Sequence, residues 1–279
     1  MFITRLLSGI VLLLVSFGCI YMGGYTLAGF LMLLSLQAWF ELGRVFKPAG
    51  DKKINSLMVW GYISIIAYYV CIALCGNTLV PAMAGVLGFI GFLVVYVFSF
   101  PKYEASQIAA AVFSFLYAPV MLSFVAFTRG LENGIYIVWM IYIAAWGSDT
   151  MAYCVGMLTG KTIGNHKMTP KLSPKKSIEG AVGGVLGAAL FAWLYAKFVM
   201  GPNVEVSVNI ELMLPIIGAL GAFMAMIGDL AASAIKRNKD IKDYGHCIPG
   251  HGGIMDRFDS MIFTAPLTYF LSAILLSVL

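Results

Sequence analysis

Three carboxylates, Asp229, Asp256 and Asp259, fall within one short stretch near the C-terminus, with long apolar runs on both sides. The same stretch, residues 228–260, carries Lys236, Arg237, Lys239, Lys242, Arg257, His246 and His251 in a chain that is only 11% charged. A plain connecting loop rarely mixes both signs with punctuation such as Gly250-His251-Gly252-Gly253. Carboxylate oxygens suit a hard divalent cation such as Mg2+, which takes one or two carboxylates plus substrate phosphates and keeps several waters. Asp229, Asp256 and Asp259 are therefore candidate metal ligands for metal-assisted phosphate chemistry. Zinc fits less well, because no His-x-x-x-His or Cys-x-x-Cys spacing builds a closed site. The Gly250–Gly253 run reads in two ways: a tight turn presenting N–H groups to phosphate, or a sharp re-entry into the final helix.

A second group lies upstream. Asp149 sits inside an apolar run, about ten residues or roughly 15 Å from its nearer polar end. A carboxylate in hydrocarbon is costly, so an intramembrane acid is a functional candidate by default. Satisfying a neighbouring Ser, Thr or Lys is its bland alternative. The following loop holds Lys161, Lys167, Lys171, Lys175 and Lys176, and its Ser173-Pro174-Lys175-Lys176-Ser177 run stands just before the next helix. Ammonium groups beside a helix N-terminus suit an anionic, oxygen-rich ligand, since free N–H groups and the dipole add to their charge. Triphosphate and lipid phosphate both qualify. Gly160-Lys161-Thr162 has the look of a Walker A ending, but position 155 is Val rather than the required Gly. Asp229, Ser233, Lys236 and Asp240 are spaced four, three and four apart, so they share one face if the helix continues that far.

The elements that must position these residues are membrane spans. The chain has 279 residues, 61% of them hydrophobic, with a mean hydropathy of +0.90, far too apolar for a soluble domain. Nine stretches near 5–22, 25–43, 57–75, 79–99, 106–127, 135–158, 179–200, 209–235 and 258–278 approach the roughly 20 residues a spanning helix needs. The first lacks a small-residue cleavage site and is followed at once by a second, so it reads as a span rather than a signal peptide. With a cytoplasmic N-terminus, sixteen of the eighteen Lys and Arg fall in inside segments, leaving only Arg129 and Lys197 outside. The positive-inside rule then favours N-in, C-out and an odd helix count. The net charge of +5 reflects this topology, and nucleic-acid binding is disfavoured because the basic loops form no continuous face.

The expected fold class is thus an all-α polytopic membrane protein. Residues 1–130 form about five structural spans, and residues 131–279 carry the chemistry with loops 159–178 and 236–257. Glu41 and Arg44 read as an ordinary interfacial i, i+3 pair. Tyr62, Tyr68, Tyr69, Tyr96 and Tyr103 suit interfacial belts or helix packing, and Pro119 suits a kink. Glycines 180, 183, 184 and 187 make small-xxx-small faces for close helix packing. The five cysteines show no paired spacing and read mainly as small core residues.

The run from Ser233 through Lys236-Arg237, Lys242-Asp243, Gly245, Ile248-Pro249, His251-Gly252-Gly253-Ile254 and Asp256-Arg257-Phe258-Asp259 resembles the signature of the phosphatidate cytidylyltransferases, or CDP-diacylglycerol synthases. Asp149-x3-Tyr153, Gly160-Lys161, Ser173–Gly180 and Gly228-Asp229 are similar to further blocks of that family, so the resemblance covers about residues 146–260. It implies a reaction in which CTP and phosphatidate give CDP-diacylglycerol and pyrophosphate with Mg2+, one or two ions acting. By this likeness Asp229 and Asp256 are metal ligands and Asp259 is a third ligand or an orienter. Lys236, Arg237 and Arg257 would contact phosphate oxygens, unless they pair inwardly with the aspartates. Ser173, Lys175, Lys176 and Ser177 would hold triphosphate, and Asp149 would orient a lysine or complete the metal site. Lys161, Ser233, His251, Gly252 and Gly253 complete the implied substrate-binding set. The resemblance further implies a homodimer and a cytoplasm-facing site, in a bacterial-type inner membrane. A CTP-dependent kinase of a lipid alcohol is the nearest enzymatic rival. A secondary transporter should show paired repeats, and a headgroup-binding scaffold would have no need of buried acids.

Overall fold

The computed structural model describes residues 2–47, 55–162, 164–205, 208–248, 250 and 252–277. Pro48, Gly50, Lys52, Lys53, Pro249 and His251 lie outside them, so the His251 expectation has no structural counterpart here. The architecture is all-helical apart from one small hairpin. Its helices are α1 (Phe2–Met22), α2 (Gly24–Phe46), α3 (Ser56–Leu74) and α4 (Leu79–Phe98), followed by α5 (Ala105–Arg129), α6 (Gly134–Thr162) and α7 (Ile178–Asn203). α8 (Ile210–Asn238) and α9 (Met255–Ser277) complete the set. Among the described residues, eight helices from α2 to α9 are long and apolar enough to cross a membrane, and α1 adds a shorter apolar helix. This is a multi-pass integral membrane protein. The nine expected stretches coincide with these nine helices, because an apolar run and a spanning helix have nearly the same length.

Two compact units divide the chain. The first comprises Met1–Phe127 and Lys242–Arg257, the second Thr128–Ile241 and Phe258–Leu279.

In the first unit, Trp39, Leu42, Leu57, Ile65, Tyr69, Phe92 and Phe115 are essentially fully buried. Trp39 packs against Phe92 at 5.9 Å between ring centroids, and Phe92 meets Phe115 edge-on at 5.9 Å. Pro119 is absorbed by a wide π-helical turn, Leu116–Val120, within α5. A proline removes one intrahelical donor, and the wider turn is one of the ways a helix accommodates that loss. The Pro119 carbonyl accepts from Tyr69 Oη at 2.8 Å, and the same hydroxyl accepts from Ser35 Oγ at 2.9 Å. Helix packing is thus the role of Tyr69. Tyr69→Phe strands the Ser35 hydroxyl and that carbonyl in a buried setting, at a cost of about 1–3 kcal/mol. A lowered Tm of the detergent-solubilised protein checks this.

The second unit is built where backbones approach closely. In lipid, helices gain little from hydrophobic burial and associate through packing, which favours small residues at contacts. A Cβ on Gly180 would lie 2.8 Å from the Ala152 carbonyl oxygen, and one on Gly184 would lie 2.9 Å from that of Ser148. These glycines let α7 lie directly on α6, as their spacing predicts. The core below them is Ile137, Met140, Ala192, Ala196, Met200, Ile210, Leu214 and Ile217. Tyr195 Oη ties α7 to α6 by donating to the Tyr136 carbonyl at 2.8 Å.

Candidate active site

The lysine-rich segment, read from the sequence as a loop, folds into an antiparallel hairpin of β1 (Lys167–Thr169) and β2 (Ser173–Ser177). Ser177 ends it and caps α7, its Oγ accepting the Gly180 N–H at 3.1 Å. Such caps contribute about 1 kcal/mol. Glu179 in the first turn of α7 holds the other side of the hairpin. It accepts the His166 backbone N–H at 3.1 Å on each oxygen, and its Oε1 lies 2.6 Å from His166 Nδ1. Thr159 Oγ1 donates to Asn165 Oδ1 at 2.6 Å, and Asn165 Nδ2 donates to the Gly156 carbonyl at 2.7 Å. The hairpin is therefore fastened to both helices that flank it.

Between them lies a cavity of about 370 Å³. Asp149, Lys175, Lys176 and Ser177 give it a polar end, while Tyr153, Met157, Met168 and Met226 contribute apolar wall. That is the size and mixture of a small-ligand pocket. Asp149 comes two residues after a π-helical turn, Ile143–Gly147, in α6. Such turns recur at functional sites. It lies thirteen residues before the helix end at Thr162, or roughly 20 Å, deeper than its sequence position suggested because α6 runs on past 158.

Asp229 on α8 joins this group. Its Oδ2 lies 2.5 Å from Lys176 Nζ, with about a quarter of each side chain exposed. Asp259 on α9, 8% exposed, interacts electrostatically with Asp229, Lys236 and Asp149, and Asp149 interacts with both Lys176 and Asp229. Gly228 makes the arrangement possible. A Cβ there would stand 2.7 Å from the Asp259 carbonyl oxygen, so the residue before Asp229 is the point where α8 and α9 come into contact. Asp149, Asp229 and Asp259 with Lys176 and Lys236 thus form one charge cluster carried by three helices and a hairpin.

Several expected residues take other places. α8 ends at Asn238, and Asp240 adopts φ 52° beyond it. The Ile241 N–H reaches back to the Lys236 carbonyl at 3.0 Å, a Schellman-type closure that removes Asp240 from the expected polar face. Ser233 and Lys236 remain on the helix, both half-buried, and Arg237 is exposed in its last turn. Lys161 is exposed at the end of α6, and Ser173 is half-buried opposite Thr169 in the hairpin. Neither lines the cavity.

The Gly252–Arg257 segment belongs to the first unit. Ile248 and Gly252 form a short antiparallel bridge, with Gly252 at φ 89°, where a side chain would be strained. Asp256 Oδ2 accepts the N–H groups of Tyr244 at 2.8 Å and Gly253 at 3.1 Å. This turn is organised by its own carboxylate. Arg257 is exposed. Glu41 is a correction. It is fully buried and accepts the backbone N–H groups of Ile254 and Met255 at the start of α9, whereas Arg44 lies over the Phe40 ring at 6.0 Å. The i, i+3 spacing suggested a surface pair, and nothing local could announce a partner more than two hundred residues away.

Among the described residues, no group of three or more Asp, Glu, His or Cys is arranged to hold a metal ion unaided. The donor set still fits Mg2+, which needs only one or two carboxylates when substrate phosphates and water fill the rest.

Residues 3–275 match the profile of the cytidylyltransferase family. The chain belongs to that family. It is 33% identical over 265 residues to the phosphatidate cytidylyltransferase of Staphylococcus haemolyticus, covering 94% of this chain and 96% of that protein. The proteins of the same name from Staphylococcus epidermidis and Staphylococcus aureus are 33% and 32% identical, with the same coverage. The family match includes the first four helices, which by their sequence resembled the family only in hydropathy. Asn165, Met157, Met168 and Met226 were missed as cavity residues, since isolated Met and Asn carry no spacing signal.

Proposed function

We propose that this protein converts CTP and phosphatidate into CDP-diacylglycerol and pyrophosphate, a Mg2+-dependent cytidylyl transfer feeding phospholipid synthesis. The reading is carried by the cavity lined by Asp149 and Lys176, whose ammonium pairs with Asp229, within a family whose relatives bear that name. A phosphate oxygen of phosphatidate attacks the α-phosphorus of CTP, and the bond to the bridging α–β oxygen breaks. Pyrophosphate leaves with that electron pair, so no redox partner or protein nucleophile is needed. Mg2+ held by Asp229, Asp256 and Asp259 would supply positive charge to the crowded phosphates and the leaving group. Lys175 and Lys176 neutralise triphosphate oxygens at the polar end of the cavity, beside the N-terminus of α7. Lys236 balances Asp259, and the apolar wall of Tyr153, Met157, Met168 and Met226 keeps water from the reacting atoms. The site faces the cytoplasm, where CTP is available, and the enzyme acts as a homodimer.

Purified protein in detergent, given phosphatidate, Mg2+ and CTP labelled at the α-phosphorus, should place label in a chloroform-soluble product and release pyrophosphate. EDTA should abolish both. Label entering lipid only from the γ-position would mean a kinase instead, and no turnover with phosphatidate would refute this substrate.

A further inference from the structure

Glu41 is the one fully buried carboxylate among the described residues of the first unit, and the reaction proposed above gives it nothing to do. Its Oε1 accepts the Ile254 N–H at 3.0 Å and its Oε2 accepts the Met255 N–H at 2.9 Å. Gln37, one turn earlier on α2, donates Nε2 to Oε1 at 3.1 Å. The first N–H groups of a helix have no partner within it, and a negative charge there also meets the positive end of the dipole. Glu41 therefore caps α9 from another helix, 213 and 214 residues distant in sequence.

The turn leading into α9 is moulded around that carboxylate. A Cβ on Gly245 would fall 2.6 Å from Glu41 Oε1, and one on Gly253 would collide with both carboxylate oxygens. Asp256 completes the turn from the other side by accepting the Tyr244 and Gly253 N–H groups. Tyr244, Gly253, Ile254 and Met255 are thus pinned by two carboxylates, Glu41 holding the helix start and Asp256 holding the turn. Any tilt of that helix start displaces Gly252, Gly253 and Asp256 together.

We infer that Glu41 is a positioning residue for cytidylyl transfer, setting the orientation of the Gly252–Asp256 turn without touching substrate. The inference rests on the proposed role of that turn in the reaction. It gives the N-terminal helices a part in catalysis beyond membrane anchoring. Glu41→Gln keeps the size of the side chain but turns an N–H2 toward one backbone N–H. Loss of a group that orients a metal or phosphate ligand costs about 10–100-fold in activity or metal affinity. Glu41→Gln should therefore lower kcat by about that factor and raise the Mg2+ concentration for half-maximal rate, with the KM for CTP little changed.

Ser35→Ala, on the same helix but bonded only to Tyr69 in the core, should lower Tm while leaving kcat and the Mg2+ requirement alone. Glu41→Asp should recover part of the lost rate. If Glu41→Gln cannot be purified folded, Glu41→Asp and Gly245→Ala are read in the same way. Variants that lose Tm yet keep wild-type kcat and Mg2+ dependence would reduce Glu41 to a stability residue and overturn the inference. Hydrogen exchange of the peptide spanning 244–256 provides a readout independent of substrate. Faster exchange at Ile254 and Met255 in Glu41→Gln is expected, and unchanged protection there would remove the cap itself. An inactive wild type would count against the proposed substrates, while the exchange result would still decide the capping.

Discussion

Asp229→Asn should leave a membrane protein that inserts and folds, with cytidylyl transfer reduced by about 10²–10³-fold, the loss typical of removing one preorganised electrostatic group. Asp229 is the member of the charge cluster that pairs with Lys176 and interacts electrostatically with both other carboxylates. Its Oδ2 is the partner of Lys176 at 2.5 Å, and both Asp149 and Asp259 feel its charge. Asparagine preserves the volume beside the α8–α9 contact at Gly228, so the packing of that crossing survives. The substitution removes one full negative charge from the place where a cation must be held against triphosphate. The concentration of Mg2+ giving half-maximal rate should accordingly rise together with the fall in kcat. More than a tenth of wild-type turnover at saturating Mg2+ would take Asp229 out of the metal site.

Much of this arrangement is legible in the chain because its signals are local. A run of about 20 apolar residues has only one economical conformation in lipid, the helix that satisfies its own backbone, so the spans can be read directly. Asp149 and Asp229 stand out because charge is expensive among such residues. Gly180 and Gly184 stand out because their spacing repeats at the helical period. What escapes is whatever depends on a partner distant in sequence. Glu41 looks like half of an i, i+3 pair with Arg44, and its actual donors are Ile254 and Met255. Asp256 looks like a ligand equivalent to Asp259, yet one of its oxygens is committed to the Tyr244 and Gly253 N–H groups. The Ser173–Ser177 run looks like a basic loop. Its pairing with Lys167–Thr169 turns it into a strand, and that strand is what brings Lys176 to Asp229.

Lys176→Met should also cost about 10²-fold or more in kcat/KM for CTP, but with the opposite effect on the metal. The lysine sits at the end of β2, one residue before the Ser177 cap of α7, and its ammonium reaches the carboxylates of α8 and α6. A triphosphate entering the cavity meets this ammonium beside the helix N-terminus, where the two positive features add. Methionine retains the apolar stem and loses the charge, so triphosphate binding weakens and the KM for CTP rises. Asp149, Asp229 and Asp259 then face one another with one fewer cation between them. Their mutual repulsion is relieved by a divalent ion, so the half-maximal Mg2+ concentration should fall below that of wild type. Lys176→Arg should not restore turnover, because a planar guanidinium with five donors does not replace a compact ammonium on a flexible stem. Titrating Mg2+ in both variants separates the two effects: Asp229→Asn should shift the midpoint upward and Lys176→Met downward. Midpoints moving in the same direction would mean that the two residues do not bear on a common cation, and the pairing seen at 2.5 Å would then be structural alone.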